Sequence, residues 1–390
     1  MKQRNVLLVI QPAYPERIQG IARFARSHGW HLTIVDRLAR FPRGWRGDGA
    51  LVTLRGNAKT NRFVRGLMRD GIPVVDLTFN HPEIRLPRVS GDHESFGRIA
   101  REHFESLNFR HFAWFSTDWS HVHELRFRGF AEKTAEPDNN VRKWVLMDML
   151  REDEIDNWRL FLKVVGRKLK SAPKPLAVLT YDDADAAKML SASLEAGLRV
   201  PEDVAIMGIG NDTVICENQA VALSSVDHDL ERNGYEGASL LDKLMSKTST
   251  AQPPGRPAIQ TPKPTLIPPR GIVVRKSTDT LAADDPLLSM ALREIAKRLP
   301  TSFGVDEIAA ALKMPRTNLD RLFAEKFSRS VGREIVRQRI EHAKRLLTET
   351  DKQMKEIAAL CGYCNAGYFT NAFRGETGFT PKAWRRGRRG

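Results

Sequence analysis

Short apolar runs alternate with longer amphipathic stretches from residue 5 to about 245, and from residue 287 onward only helical patterns remain. The runs Asn5–Ile10, His31–Val35, Gly49–Thr53, Pro73–Asp76, His111–Phe115, Ala177–Leu179 and Val204–Gly208 predict strands. Between them lie patterns such as Ile18–His28, where Ile18, Ile21, Ala22 and Ala25 share one face. Strands separated by helices predict a parallel sheet covered on both sides, since each crossover must return the chain to the same end of the sheet. The runs fall into an early group and a group after residue 110, so two such lobes are expected rather than one.

The pattern then breaks. Seven prolines in the 17 residues 253–269 forbid helix and discourage a central strand. Gly271-Ile272-Val273-Val274 is predicted to return to the sheet. Residues 1–277 are thus assigned to a two-lobed α/β sensing domain, 278–286 to a linker, and 287–390 to an all-helical domain in which Ala, Leu, Arg and Glu replace Val and Gly.

Inside the helical part the chain repeats itself. Ile308, Ala309 and Leu312 recur 49 positions later as Ile357, Ala358 and Cys361, and Leu319 and Phe323 recur 50 positions later as Phe369 and Phe373. Each copy reads as a short helix, a break and a second helix. Lys313-Met314-Pro315 makes the first break, where Pro315 suits the opening position of a helix because its missing N–H has no partner to lose there. In the second break Gly362 tolerates positive φ and Asn365 can cap the next helix.

Ile308, Ala309, Leu312, Leu319, Leu322 and Phe323 form the inner face of the first copy, which turns Arg316, Thr317, Asp320 and Arg321 outward. In the second, Tyr363, Phe369 and Phe373 go inward, leaving Gly367, Tyr368, Asn371 and Arg374 outside. A helix over about Gly332–Leu347, with Ile335, Ile340, Ala343, Leu346 and Leu347 as its apolar stripe, joins the copies. A strut of that length can hold two reading helices about one DNA turn, ~34 Å, apart. Two helix-turn-helix units so spaced predict binding to double-stranded DNA, with Arg and Asn reading base edges and rim cations meeting phosphates.

Charge supports an anionic partner. The net charge is +15 with a pI near 9.9. Residues 281–390 hold 21 Lys and Arg against 13 Asp and Glu, a net of +8; the first 280 residues hold 41 against 34, a net of +7 over far more chain. Charge density peaks where the repeat lies and culminates in Lys382–Arg389.

Three cysteines, Cys216, Cys361 and Cys364, are too few for a disulfide framework and predict a reducing compartment. Cys361 and Cys364 form a lone C-x-x-C without a second ligand pair, so Cys361 reads as a core residue. The apolar run Val6–Ile10 is shorter than the ~7–15 residues of a secretory segment, and no stretch approaches the ~18 of a membrane span. A cytoplasmic protein with no membrane partner is expected. No G-x-S-x-G, P-loop, H-E-x-x-H or G-x-G-x-x-G after a strand is present, and His111, His121 and His123 have no carboxylate or cysteine at a motif spacing. Neither enzymatic activity nor a cofactor nor a metal is expected.

The helical part resembles the AraC-type transcription factors. The resemblance rests on Ala343-Lys344-Arg345-Leu346-Leu347, Ile357-Ala358, Cys361-Gly362-Tyr363, Tyr368-Phe369, Phe373 and Thr377-Gly378-Phe379-Thr380-Pro381. It implies base-facing roles for Thr317, Asp320 and Arg321. Gly375 stands where that family usually carries Lys or Arg. Gly367 lacks a side chain where many members reach for a base, so the second reader leans on Tyr368 and Asn371.

The first part is similar to LacI-type regulators and periplasmic sugar-binding proteins. Here the matching residues are Tyr14 through Gly20-Ile21-Ala22, Arg126-Phe127-Arg128-Gly129-Phe130, Val200-Pro201-Glu202-Asp203-Val204, and Leu223-Ser224-Ser225-Val226-Asp227. Taken together, the two resemblances imply a transcription activator, a homodimer able to contact RNA polymerase, with a small sugar effector such as D-xylose or a related pentose.

A sugar needs polar groups for its hydroxyls and an aromatic for its apolar face, on loops after the C-terminal ends of parallel strands. Tyr14, Asp183 and Asn211 each follow a predicted strand, and Arg126 corresponds to the family's ligand-binding arginine. Arg126 also fits a solvated helix charge, and Asp183 a helix cap. Asp182, Asp183 and Asp185 suit the dipole at a helix start better than a metal. Trp119 is a candidate for stacking on a sugar, whereas Trp114 reads as core. Gly210 stands where the family has an aspartate that holds two sugar hydroxyls, which leaves the effector's identity open. A ligand-independent regulator with a silent sensor is the alternative.

Overall fold

The structure, a computed structural model, describes residues 3–11, 13–35, 41–42, 44–54, 58–132, 141–248, 263–280, 286–327 and 329–389. The proline-rich stretch up to 262 and the linker residues 281–285 lie outside the described residues. The chain divides at Asp279 and Thr280 into two compact units, with Leu107–Phe109 grouped with the second.

In chain order the strands of the first unit are β1 (Arg4–Val9), β2 (Trp30–Ile34), β3 (Gly49–Val52), β4 (Val74–Asp76), β5 (Val89–Gly91), β6 (His111–Ser116), β7 (Arg142–Val145), β8 (Leu176–Thr180), β9 (Val204–Gly210), β10 (Ser224–Asp227), β11 (Thr265–Ile267) and β12 (Gly271–Val273). One lobe holds a parallel sheet in the order β2-β1-β3-β4, and an Asp76–Arg88 bridge leads on to the parallel pair β5-β11. The other holds six strands in the order β12-β10-β9-β8-β6-β7, parallel except where β12 meets β10.

Helices cover both faces. Along β1, Val6 and Leu8 pack with Ile21 and Phe24 of the helix Pro15–Ser27, while Leu7 and Val9 pack with Val64 and Leu67 of the helix Ala58–Arg69. Alternate residues thus enter two different cores, which is why the strand is apolar throughout rather than at every second position.

The chain passes between the lobes three times. It does so after β5 into the helix His93–Ser106, after β10 into the helix Leu230–Thr248, and between β11 and β12. All seven predicted strands form, with ends shifted by one or two residues, and Gly271–Val273 does rejoin a sheet. The strands β5, β7, β10 and β11 were not among the apolar runs, because they are short or polar. In β10, for example, Ser224 and Ser225 are wholly buried and hydrogen-bonded. Ser277 donates to the Ile206 carbonyl at 2.6 Å and accepts from Ser224 N–H, so the chain stays pinned to the sheet up to the start of the expected linker.

In the second unit the helices are Pro286–Arg298, Val305–Ala311, Arg316–Phe327, Val331–Glu349, Met354–Leu360, Ala366–Thr377 and Pro381–Arg389. The long helix Val331–Glu349 extends the predicted strut at both ends. Ile340, Ala343 and Leu347 on it meet Ile357, Ala358, Cys361, Phe369 and Phe373 in one core. Ile308, Ala309, Leu319 and Phe323 are buried in the first copy, whereas Leu312, Leu322 and Tyr363 are only half-buried. Pro315 stands immediately before the helix, its carbonyl accepting from Leu319 N–H. Gly362 has φ +72°, and a Cβ there would lie 2.4 Å from the Thr301 carbonyl oxygen, so only glycine fits this turn.

Candidate functional site

Tyr14, Arg126, Asp183 and Asn211 all line one cavity of about 370 Å³ between the lobes of the first unit. That volume lies in the usual range for small-molecule sites. Tyr14 precedes the helix that follows β1, Asp183 opens the helix that follows β8, and Asn211 follows β9. Arg126 comes from the helix His121–Ala131 after β6. The strand ends converge because parallel strands all deliver their loops to the same edge.

Each of these side chains is held. Arg126 is buried, donates from Nε to His93 Nδ1 at 3.2 Å and from Nη1 to the Tyr181 carbonyl, and stacks 4.6 Å from the Tyr181 ring centroid. It is therefore a cavity-wall cation and not a solvated helix charge. Asn211, in the left-handed region at φ +60°, accepts from Arg275 at 2.9 Å and takes a backbone bond from its own N–H to Ser225 Oγ at 3.0 Å. Tyr14 is half-buried beside Arg17, whose guanidinium lies 5.7 Å from its ring centroid.

The acidic trio at residues 182–185 divides its work. Asp182, not Asp183, caps the helix by accepting from Asp185 N–H at 2.9 Å. Asp185 turns to Thr117, accepting from its hydroxyl at 2.7 Å. Asp183 is 3% exposed and turns towards the backbone of β9, accepting from Ser225 Oγ at 2.5 Å and from Asp212 N–H at 2.7 Å. Burial pushes its carboxyl up to about 6 against this opposing hydrogen bonding.

Gly210 lies directly over that carboxylate. Its φ is +143°, and a Cβ there would sit 2.9 Å from Asp183 Oδ2. A side chain at 210 would meet both backbone strain and the Asp183 carboxylate, so glycine is part of the loop's design here.

Three further cavity residues carry chemistry that periodicity does not reveal: Arg17, His93 and His228. Arg17 is buried and donates from Nε to Asn233 Oδ1 at 2.8 Å. His93 makes a 3.1 Å bond to Ser90 Oγ, and burial together with the Arg126 charge holds its imidazole well below the ordinary value, keeping it neutral. Arg17's place three residues after Tyr14, in the first turn of the helix that follows β1, is the one sequence signal available for it. Trp114 is fully buried in β6, and neither it nor Trp119 lines the cavity.

On the reading helices, Arg316, Thr317 and Arg321 are exposed and Asp320 is half-buried. Arg316 pairs with Asp306 at 3.3 Å and with Asp320 at 3.5 Å, so one outward-facing candidate binds another that was expected to face a base. Tyr368 is 68% exposed, and Asn371 and Arg374 are exposed beside it. Asn365 caps this helix by accepting from Tyr368 N–H at 2.9 Å. A Cβ at Gly375 would meet open space.

A two-lobed α/β unit with a polar cavity, followed by paired helix-turn-helix units, defines a ligand-controlled transcription regulator. Residues 101–278 match the periplasmic binding protein-like domain family and residues 308–387 a helix-turn-helix domain family. The xylose operon regulatory protein of Haemophilus influenzae is 28% identical over 306 residues, spanning 77% of this chain and 75% of that protein. Its counterpart in Escherichia coli strain K12 is 24% identical over 399 residues, spanning 98% and 96%. A solved structure of a xylose-binding transcription activator aligns with 99% of this chain and 98% of its own, at a TM-score of 0.64 and 22% identity. A transcriptional regulator in complex with cellobiose aligns over 70% and 84%, at a TM-score of 0.54 and 20% identity. The two solved structures establish the shared fold.

Xylose operon regulatory proteins are thus homologous to this chain along its whole length. It is a DNA-binding transcription regulator rather than an enzyme. No helix among the described residues is long and apolar enough to cross a membrane.

Proposed function

We propose that the protein activates sugar-catabolic genes when a small sugar, D-xylose or a related pentose, occupies the cavity between its lobes. The observation that carries this reading is the convergence of Tyr14, Arg126, Asp183 and Asn211, from the segments that follow four separate strands, on one cavity in a chain homologous to xylose operon regulators. Arg126 and Asn211 bind hydroxyls and Tyr14 covers an apolar face of the ring. Asp183 acts through the loop it holds, since Ser225 and Asp212 already donate to its two oxygens.

The ligand favours the arrangement in which both lobes contribute to the cavity, and only such a preference can shift the equilibrium between states. The output is read by a homodimer through Thr317, Asp320, Arg321, Tyr368, Asn371 and Arg374, with Arg316 ordering the first reader. A second reading, a ligand-independent regulator, is favoured by Gly210, which brings no carboxylate to the cavity.

Operator-type DNA binding by the full-length protein with and without D-xylose, at fixed salt, separates the two. Salt must be fixed because phosphate contacts alone change affinity by ~10³–10⁵ across ordinary buffers. A shift in affinity or footprint with D-xylose supports the sensor reading. If DNA binding is unmoved by D-xylose and by a panel of other sugars, the ligand-independent reading stands.

A further inference from the structure

The side chain of Asn211 lines the cavity, and its amide also reaches the segment by which the chain leaves the sensing unit. Asn211 Oδ1 accepts from Arg275 Nη2 at 2.9 Å, and Asn211 Nδ2 donates to Asp227 Oδ2 at 3.4 Å. An asparagine amide offers two acceptor positions and two N–H donors. Among the described residues, Arg275 and Asp227 take one of each, which leaves one of each for a ligand hydroxyl.

Arg275 stands immediately before the short helical turn Lys276–Thr278, beyond which the chain runs on to the DNA-binding unit. Its side chain is only 10% exposed. Besides Asn211, the guanidinium donates to the Leu223 carbonyl at 3.0 Å and to Glu217 Oε1 at 3.3 Å. The Arg275 backbone N–H donates to Ser224 Oγ at 2.8 Å, and the same oxygen lies 2.7 Å from Thr278 Oγ1. One residue therefore ties the loop after β9, the start of β10 and the exit segment together. The register shows why a long side chain is needed. Ser224 lies opposite Met207 and Asp227 opposite Gly210, so the Arg275 backbone, held at Ser224, stops short of the cavity end of the sheet and the side chain spans the gap.

From this arrangement we infer that Arg275 is a positioning residue of the regulatory switch, carrying the occupancy of the cavity from Asn211 to the segment that tethers the DNA-binding unit. A ligand hydroxyl on the other positions of the Asn211 amide fixes its orientation and polarises it, which strengthens the bond to Arg275. The exit segment is then held more firmly with ligand than without it. A differential interaction of this kind is what couples two sites. This inference rests on the reading of the cavity as the effector site.

Two measurements on the full-length protein test it. The first, made without ligand, is hydrogen exchange over residues 271–279 in the unaltered protein and in Asn211→Ala. Exchange at the Arg275 and Ser277 amides should quicken about tenfold, as loss of a hydrogen bond to a charged group predicts. Unchanged exchange overturns the inference whatever the ligand is. The second is the ratio of operator-type DNA affinities at saturating and at zero D-xylose, at fixed salt. That ratio should fall towards one in Arg275→Gln while D-xylose still binds in calorimetric titration. It should be kept in Lys276→Gln, which removes an exposed neighbouring cation. A general loss of DNA affinity or of stability does not move the ratio. An unaltered ratio in Arg275→Gln, or loss of D-xylose binding by that variant, overturns the relay and leaves the effector site intact. If D-xylose binds the unaltered protein without changing its DNA affinity, no signal exists to carry and the inference falls. If D-xylose does not bind the unaltered protein, the pentose reading fails, and the ligand-free exchange decides the tie from Asn211 to Arg275 by itself.

Discussion

Asp183 illustrates how burial and hydrogen bonding compete at a single residue. Two donors favour its charged form, yet desolvation dominates and lifts the carboxyl to about 6 from the ordinary 3.8. The folded state therefore holds this proton more readily than the unfolded chain does. The resulting contribution to stability is fully present below about pH 3.8 and is lost as pH rises through about 6. Urea unfolding of the sensing unit should register this. Between pH 4.5 and 7.5 the unaltered protein should lose about 2 kcal/mol relative to Asp183→Asn, at about 1.4 kcal/mol per unit of pH below the folded value. Parallel pH curves for the two proteins would show that Asp183 titrates as an ordinary exposed carboxylate. The same residue explains Gly210, since the space a side chain would need at 210 is already filled by the Asp183 carboxylate.

Among the elements, the two reading helices differ in how they are prepared. The helix Arg316–Phe327 has its exposed start tied by Arg316 to Asp306 and Asp320, while Ala366–Thr377 is capped by Asn365 and presents Tyr368, Asn371 and Arg374. Asn suits the edge of adenine and Arg374, further along, suits a phosphate. Asn371→Ala should reduce discrimination at one base position by about 1–3 kcal/mol. Arg374→Ala should weaken binding to every sequence alike and lower the salt slope of log affinity by about 0.9. Competition binding on operator variants, repeated at several salt concentrations, distinguishes these outcomes. Loss of base discrimination in Arg374→Ala, or a changed salt slope in Asn371→Ala, would reverse the two roles.

Across the sensing unit, the cavity exists only because loops from both lobes meet. Ser120, at the start of the helix His121–Ala131, donates to Asn80 Oδ1 at 3.0 Å, and the Phe79 and His121 rings meet edge-on at 5.0 Å between centroids. These contacts join one lobe to the other at the cavity's rim. Removing the bond with Ser120→Ala should lower the population of the joined arrangement by a typical hydrogen-bond increment of about 0.5–1.5 kcal/mol. Effector affinity would then fall about threefold to tenfold, because ligand binds only the competent fraction. Calorimetric titration of Ser120→Ala with the ligand found for the unaltered protein checks this, and unchanged affinity would remove the rim contact from the closing equilibrium.

By itself the sequence determined the alternation that makes two α/β lobes, the repeat that makes two helix-turn-helix units, and the strand-end positions of Tyr14, Asp183 and Asn211. These are properties of local periodicity, and a run such as Val6–Val9 is apolar whatever surrounds it. Only the tertiary structure decided which carboxylates face the cavity and which are turned into the backbone. It also made Asp182 the cap, made a strand of the buried serines of β10, and brought Arg17, His93 and His228 to the same cavity. Those outcomes depend on partners far away in the chain. The amide that orients Arg17 is on Asn233, 216 residues later, and the hydroxyl that holds Asp183 is on Ser225, 42 residues later. A polar side chain's environment is set by whichever neighbours burial brings to it, and no local pattern encodes that.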